Sequence, residues 1–115
     1  MDVFPLDRLL ADRAAARRPY LEFIRRPDLS VGLYVLPAGG RDMQTPHGED
    51  EAYYVVTGTA SFTAREESRR IGPGDTIFVA AGVPHRFHDI EEELRLIVAF
   101  GPAEGSRGAG VQGDG

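Results

Sequence analysis

Cysteine is absent from the 115 residues of this chain. Its absence excludes disulfide bonds, thiolate metal ligands and cysteine nucleophiles, and it fits a reducing compartment, so we expect a cytoplasmic protein. A chain of this length suffices for one domain, and it can bury a core without disulfide support.

We expect neither a targeting segment nor a membrane-spanning segment in this sequence. Residues 1–8 contain no basic stretch followed by an apolar run, as a signal peptide would. The longest apolar run is far shorter than the ~20 residues that span a bilayer. The formal net charge is −5, whereas nucleic-acid binding usually leaves a basic patch. We therefore expect neither a membrane nor a nucleic acid as a partner.

Apolar residues recur along the sequence at helical spacing up to about residue 20 and at a spacing of two after it. Residues 6–17 predict one helix, because Leu6, Leu9, Leu10 and Ala14 share a face. Beyond it the period becomes two, and strands are predicted at 20–25, 31–36, 52–56, 59–64, 75–79, 84–88 and 94–100. Turns rich in Gly and Pro separate them, and many short strands in one small domain are typical of an all-β sandwich or barrel.

This pattern divides the chain into three parts. Residues 1–19 are expected to carry the helix on the outside of the domain, residues 20–103 to form the barrel, and residues 104–115 to form a flexible Gly-rich tail. The strand at 20–25 is a candidate edge strand, through which we expect the chain to pair as a homodimer.

The chain contains three histidines, the side chain that most often binds metal ions: His47, His85 and His88. His47 and His85 both lie between turn residues and a predicted strand, which places them at a rim of the barrel, where binding sites are usually built. Glu51 follows His47 by four residues, which is about 13 Å in extended chain, so a bend at 48–50 is needed to bring the two together.

Side chains alternate between the two faces of a strand, and this alternation predicts which candidate ligands point inward. Glu51 shares a strand face with Tyr53, where an unpaired carboxylate would be unfavourable without a cation or hydrogen bonds. His85 shares its face with Phe87, whereas His88 lies on the opposite face. Two less specific interpretations stay open: a lone His beside a turn is often a surface residue, and the acidic run 49–51 is often a solvated turn.

The stretch from residue 39 to 58 resembles the first motif of the cupin family, Gly-x5-His-x-His-x3/4-Glu-x6-Gly. Here it has Gly39, Thr45, His47, Glu51 and Gly58 in those places. Thr45 stands where the first His of the motif usually occurs, so one imidazole ligand is missing.

The stretch from residue 74 to 89 resembles the second cupin motif, Gly-x5-Pro-x-Gly-x2-His-x3-Asn. Here it has Gly74, Ala80, Gly82, His85 and Asp89 in those places. The replacements at Ala80 and Asp89 are structurally mild. Two motifs in order and in register are a much stronger signal than either one alone.

The resemblance implies an all-β fold, a double-stranded β-helix or jelly-roll barrel, here with a short N-terminal helix. It also implies one divalent metal ion bound by His47, Glu51 and His85, with Thr45, Gln44 or water completing the coordination. Two imidazoles and a carboxylate suit Fe2+, which we favour, and also Mn2+, Ni2+ or Zn2+. A degenerate cupin that has lost its metal with the first His is the alternative.

Three classes of function follow for such a barrel. The first is a metal-dependent enzyme acting on a small organic molecule, most concretely an Fe2+ dioxygenase, with a non-oxidative lyase or isomerase as the sister version. The second is a binding or sensing module for a small ligand, although we expect no DNA-binding segment beside the barrel. The third is a structural domain. The sequence names no catalytic residue beyond the metal ligands.

Overall fold

The computed structural model describes residues 1–43 and 46–107. They form one helix and six strands, and the fold is the predicted all-β double-stranded β-helix with a short N-terminal helix. In chain order the elements are α1 (Leu6–Ala16), β1 (Tyr20–Arg26), β2 (Leu29–Leu36), β3 (Asp50–Ala64), β4 (Glu67–Ile71), β5 (Thr76–Val79) and β6 (His85–Gly101).

All strand pairs in the described residues are antiparallel. The order is β1-β2-β6-β3-β4, and β5 pairs with the first part of β3. The long strand β3 therefore pairs with β6 on one side, and with β5 and then β4 on the other. This arrangement curls the sheet around one apolar core.

Two of the observed strands are long, and each replaces two short strands of the prediction. Strand β3 covers the predicted strands at 52–56 and 59–64. Strand β6 covers the predicted strand at 94–100 and, from His85 onward, the one at 84–88. The register between β3 and β6 shifts three times between Val55 and Ser61, so the strands bend while they stay paired. Gly58 lies in this bend at φ +97°, and a Cβ on it would lie 2.2 Å from the Glu93 carbonyl oxygen. The predicted break at Gly58 is therefore a bulge.

Strand β4 is absent from the sequence-based prediction, which assigned residues 66–68 to a turn. The turn is at residues 65–66, and Arg65 there has φ 54°. Strand β4 escapes detection because only Ile71 of its five residues is buried, so its sequence has no apolar alternation. Its polar residues suit the exposed edge of the sheet.

Helix α1 packs against the outer face of the barrel. Leu9 is its one buried residue, and it contacts Leu33 and Val35 on the outer face of β2. The inner face of β2 carries Tyr34 and Leu36 into the main core. Among the described residues no helix is long and apolar enough to cross a bilayer.

Strand β1 lies at the end of the strand order, so the predicted edge strand is an edge. Pairing of two copies through it stays a prediction.

The segment after β6 departs from the expected tail. Residues 104–107, which were assigned to the tail, form a turn that is hydrogen-bonded to the barrel. The rest of the predicted tail, residues 108–115, lies outside the described residues.

Candidate metal centre

Glu51 and His85 come together inside the barrel. Glu51 lies near the start of β3 on the face that also carries Tyr53 and Val55, and His85 begins β6 on the face that carries Phe87. His85 Nε2 lies 3.0 Å from Glu51 Oε1, and the two side chains are 2% and 1% exposed. Strand parity thus predicted correctly that both point inward.

The ring of His85 is held in one orientation by the chain. Its Nδ1 lies 2.8 Å from the carbonyl oxygen of Val83, and since a carbonyl can only accept, Nδ1 carries the proton and donates. In the neutral ring Nε2 then presents a lone pair, 3.1 Å from the hydroxyl of Tyr53, which donates to it. A backbone carbonyl on the distal ring nitrogen is the arrangement that orients metal-binding histidines.

The pKa of His85 depends on its burial and on its neighbours. Burial alone lowers the pKa of His85, but the carboxylate of Glu51 and the Val83 carbonyl together outweigh burial, so the pKa is raised. The site therefore attracts positive charge to the space between His85 and Glu51, whether a proton or a metal ion carries it.

The carboxylate of Glu51 has no hydrogen-bond donor on either oxygen among the described residues, although both oxygens are buried. His85 Nε2 approaches one oxygen at 3.0 Å, and the two groups form an ion pair when the ring is protonated. An unsatisfied buried carboxylate is strongly unfavourable unless a cation compensates its charge. Glu51 and His85 therefore fit a metal ion as two of its ligands.

His47 lies on the same rim, beside the strand that faces Glu51. Its ring packs edge-on against Phe100 at a centroid distance of 5.0 Å, and Phe100 is the register partner of Glu51. The carbonyl of His47 accepts from the amide of Gly82 at 2.7 Å, which ties this loop to the segment before His85. The ionic neighbour of its Nε2 is Glu104 Oε2, 3.8 Å away.

The three expected ligands are thus placed in two groups. Within residues 1–43 and 46–107, no three His, Asp or Glu side chains converge as ligands of one ion. Glu51 and His85 form one pair, and His47 with Glu104 forms another. Gln44 and Thr45, which were expected to complete the coordination, lie outside the described residues.

His88 points away from this site, as parity predicts. Its Nδ1 lies 2.9 Å from Asp89 Oδ2, and its Nε2 lies 2.7 Å from Thr63 Oγ1. Asp89 has φ 48°, a conformation that Asn and Asp tolerate better than most residues, so Asp suits the place of Asn in the motif.

Aromatic rings surround the inner side of His85. Tyr53 and Phe62 both contact Phe87, with centroid distances of 4.9 Å and 4.6 Å, and Phe62 lies 5.9 Å from the ring of His85. Leu96 is buried as well. The site is therefore a polar group set into an apolar chamber, where charge interactions are strong.

Asp42 is an organising residue that sequence analysis did not identify. Its Oδ1 accepts from the hydroxyl of Tyr34 at 2.7 Å, and its Oδ2 accepts from the amide of Phe87 at 2.9 Å. Burial, and then the Asp42 charge, raise the pKa of Tyr34, which keeps its hydroxyl protonated as a donor. Asp42 thus ties the first motif to the start of β6.

Two further charged residues, Arg41 and Glu49, lie within the first motif, between Gly39 and Gly58. Arg41 is exposed. Glu49 is 1% exposed and accepts hydrogen bonds from the amides of Gly105 and Arg107, at 3.1 Å and 2.7 Å. Glu49 therefore anchors the C-terminal turn, whereas Tyr53 touches His85.

Comparison with known proteins connects this geometry to a family. Residues 32–100 match the family described as the cupin domain. The chain is 48% identical over 104 residues to SCO3923, an uncharacterized protein of Streptomyces coelicolor, covering 90% of this chain and 99% of that one. The crystal structure of TT1209 from Thermus thermophilus superposes with a TM-score of 0.70 at 23% identity, covering 90% of this chain and 99% of that chain.

A named enzyme is also among the similar proteins. Dimethylsulfoniopropionate lyase DddQ of Ruegeria pomeroyi is 31% identical over 74 residues, which is 62% of this chain and 37% of the lyase. Its crystal structure superposes with a TM-score of 0.64, covering 72% of this chain and 47% of that chain. The family match spans more than half of the sequence and includes both motifs, so this protein belongs to the cupin domain family.

Proposed function

We propose that this protein is a metal-dependent enzyme that acts on a small organic molecule without oxidising it, as a lyase or an isomerase. The observation that carries the proposal is the buried carboxylate of Glu51, which has no hydrogen-bond donor among the described residues and lies 3.0 Å from His85 Nε2. Such a pair is unfavourable by itself and becomes favourable when a divalent cation binds to it.

Glu51 and His85 would hold the ion with His47 as the third ligand. Ligand type does not choose among Fe2+, Mn2+, Ni2+ and Zn2+, and Fe2+ remains our first candidate. An ion held by three protein groups keeps positions for substrate, and it supplies Lewis-acid polarisation of a substrate oxygen.

Tyr53 favours proton transfer over oxygen chemistry. Its hydroxyl lies 3.1 Å from His85 Nε2, inside the chamber that the ligands share. A phenol beside a metal ligand can move a proton at a carbon next to a carbonyl or carboxylate, and this proton transfer is the step that lyases and isomerases need. The apolar rings of Phe62 and Phe87 would exclude water from that step.

The similarity to a dimethylsulfoniopropionate lyase supports the same class. This similarity supports the reaction class but not the substrate, because the match spans 37% of that enzyme's length. The substrate we propose is a small organic acid or carbonyl compound that carries a proton next to the carbonyl group.

The test uses apo protein reconstituted in turn with Fe2+, Mn2+, Ni2+ and Zn2+, and a panel of small carboxylic acids, keto acids and phenols. We expect turnover without oxygen consumption, which Tyr53→Phe abolishes while the metal content stays the same. Tyr54→Phe, the same change at a neighbouring tyrosine that is 48% exposed, is the matched control and should keep activity.

Other outcomes would reassign the function. Oxygen uptake that needs both substrate and Fe2+ would restore the dioxygenase expectation. Saturable ligand binding without turnover under any of the four metals would make the protein a binding or sensing module.

A further inference from the structure

A cleft with a volume of about 290 Å3 lies where β4 and β5 both border β3, beside the candidate metal centre. Phe62 and Ala64 of β3 line this β4–β5 cleft, and both also border the centre. The ring of Phe62 lies 5.9 Å from the ring of His85, and Ala64 is the register partner of His85. A molecule bound in the cleft would therefore lie against the aromatic wall of the candidate centre.

Strand β4 contributes two side chains of opposite charge to the cleft. Glu67 and Arg69 share a strand face with Ile71, which is buried, so both point to the inner side of the sheet. In the register of β4 with β3, Arg69 lies opposite Phe62 and Glu67 lies opposite Ala64. The Cα atoms of the two charged residues are about 6.6 Å apart, which is two residues along an extended strand.

The charges of Glu67 and Arg69 have no partner inside the protein. Within the part of the chain that the structure describes, neither side chain makes a hydrogen bond or an ion pair, with the other or with any further residue. Arg70 differs, since it points to the opposite face and donates to Ser61 and Glu91. The sheet thus uses Arg70 for its own structure and leaves the two charges that face the cleft available to a ligand.

The remaining walls of the cleft suit the body of a small molecule. Ile71 and Ile77 supply apolar surface, and Phe78, which is 67% exposed, adds an aromatic ring. An aromatic face attracts an ammonium group. Asp75 adds a second carboxylate, and it already accepts a hydrogen bond from the amide of Gly72 at 2.8 Å. The cleft therefore presents one basic and two acidic groups around an apolar surface.

We propose that the β4–β5 cleft binds a small zwitterion, with the carboxylate of the ligand on Arg69 and its cationic group between Glu67 and Phe78. A simple anion would meet two carboxylates and a simple cation would meet the guanidinium, whereas a molecule with both charges fits the whole lining. Binding needs no metal ion. The inference rests on the proposed function only where it names a zwitterionic carboxylic acid as the substrate class.

The experiment follows the amide chemical shifts of the full-length, metal-free protein by NMR during titration with four compounds of one shape. Glycine betaine carries both charges, choline carries only the cation, the anion of tert-butylacetic acid carries only the carboxylate, and tert-butylethanol carries neither. We expect glycine betaine to shift the amides of Arg69, Ile71 and Ile77. It should bind at least about threefold more tightly than either singly charged compound, as for partly exposed charge pairs.

Two variants separate the contributions of the charges. Arg69→Gln should remove the preference for glycine betaine over choline, and Glu67→Gln should remove its preference over the anion of tert-butylacetic acid. Glu66→Gln, in the exposed turn between β3 and β4, and Arg26→Gln, on the distant edge strand β1, are the matched controls and should bind like the wild type. The spectra of the free variants show whether each one folds as the wild type does.

Equal binding of the four compounds would overturn the inference, and so would glycine betaine shifts that persist unchanged in both Arg69→Gln and Glu67→Gln. The proposed function fails separately, because these titrations need neither metal nor turnover. Binding of glycine betaine by a protein without turnover under any metal would support the cleft and contradict the enzyme. Turnover of a small acid by a protein that does not bind glycine betaine would do the reverse.

Discussion

Glu51 and His85 face each other across the barrel interior at 3.0 Å, yet neither oxygen of Glu51 receives a hydrogen bond from the residues that the structure describes. Their strands, β3 and β6, pair with each other, but Glu51 opposes Phe100 and His85 opposes Ala64. The two side chains therefore meet across the interior, because the curled sheet brings the starts of both strands together. The predictions below follow from this pair and from the contacts that frame it.

Removing a proposed ligand should remove the metal. His47→Ala, Glu51→Ala and His85→Ala are each expected to lower the metal content of the purified protein from about one equivalent to well below it, because three ligands leave little redundancy. His88→Ala is the matched control, since His88 bonds to Asp89 and Thr63 outside the site. Elemental analysis decides, and loss of metal in His88→Ala alone would contradict the assignment.

Glu51→Gln should make the metal-free protein more stable, by about 1–3 kcal/mol, because it removes an unsatisfied buried charge while keeping the shape of the side chain. His85 can lose its proton and accept from Tyr53 at Nε2, so no uncompensated charge remains. Chemical denaturation in the presence of a chelator measures the effect. Destabilisation by about 3–5 kcal/mol would instead mean that the pair acts as a buried ion pair in the apo protein.

The two parts of the expected tail should behave differently when removed. Deleting residues 108–115 should leave the melting temperature unchanged within a degree or two. Deleting residues 104–115 should also remove both amide donors of Glu49, which is 1% exposed. Leaving a buried carboxylate without donors costs at least about 2 kcal/mol, which lowers the melting temperature of a domain this size by roughly 10 °C. Equal melting curves for the two truncations would show that the turn does not dock in solution.

Gly58→Ala should destabilise the fold, although residue 58 touches no proposed ligand. The position has φ +97°, and an added Cβ would lie 2.2 Å from the Glu93 carbonyl oxygen in the neighbouring strand. We expect a loss of more than ~1 kcal/mol by chemical denaturation. Gly74→Ala is a useful comparison, because Gly74 also has positive φ but has nothing within 4 Å of its Cβ position. A similar loss in both variants would mean that backbone strain alone, without the steric contact, accounts for the effect.

Local periodicity in the sequence was enough to determine much of this protein. Alternation with period two predicted that Glu51 and His85 point inward and that His88 points outward, because side chains of a strand alternate between its faces whatever the strand pairs with. The resemblance of its two motifs to those of the cupin family implied the barrel. Strand β4 was missed for the same reason, since a polar edge strand carries no such alternation.

Only the tertiary structure decided which residues from distant segments meet. Glu49 accepts amides 56 and 58 positions away, Asp42 holds the amide of Phe87, and Glu104 reaches His47. Strand order and register fix such contacts, and neither leaves a period or a spacing in the sequence. Glu104 in particular lies in a segment whose composition predicted a flexible tail, and its position depends on hydrogen bonds to Ser30 and Glu49 that exist only once the barrel has closed.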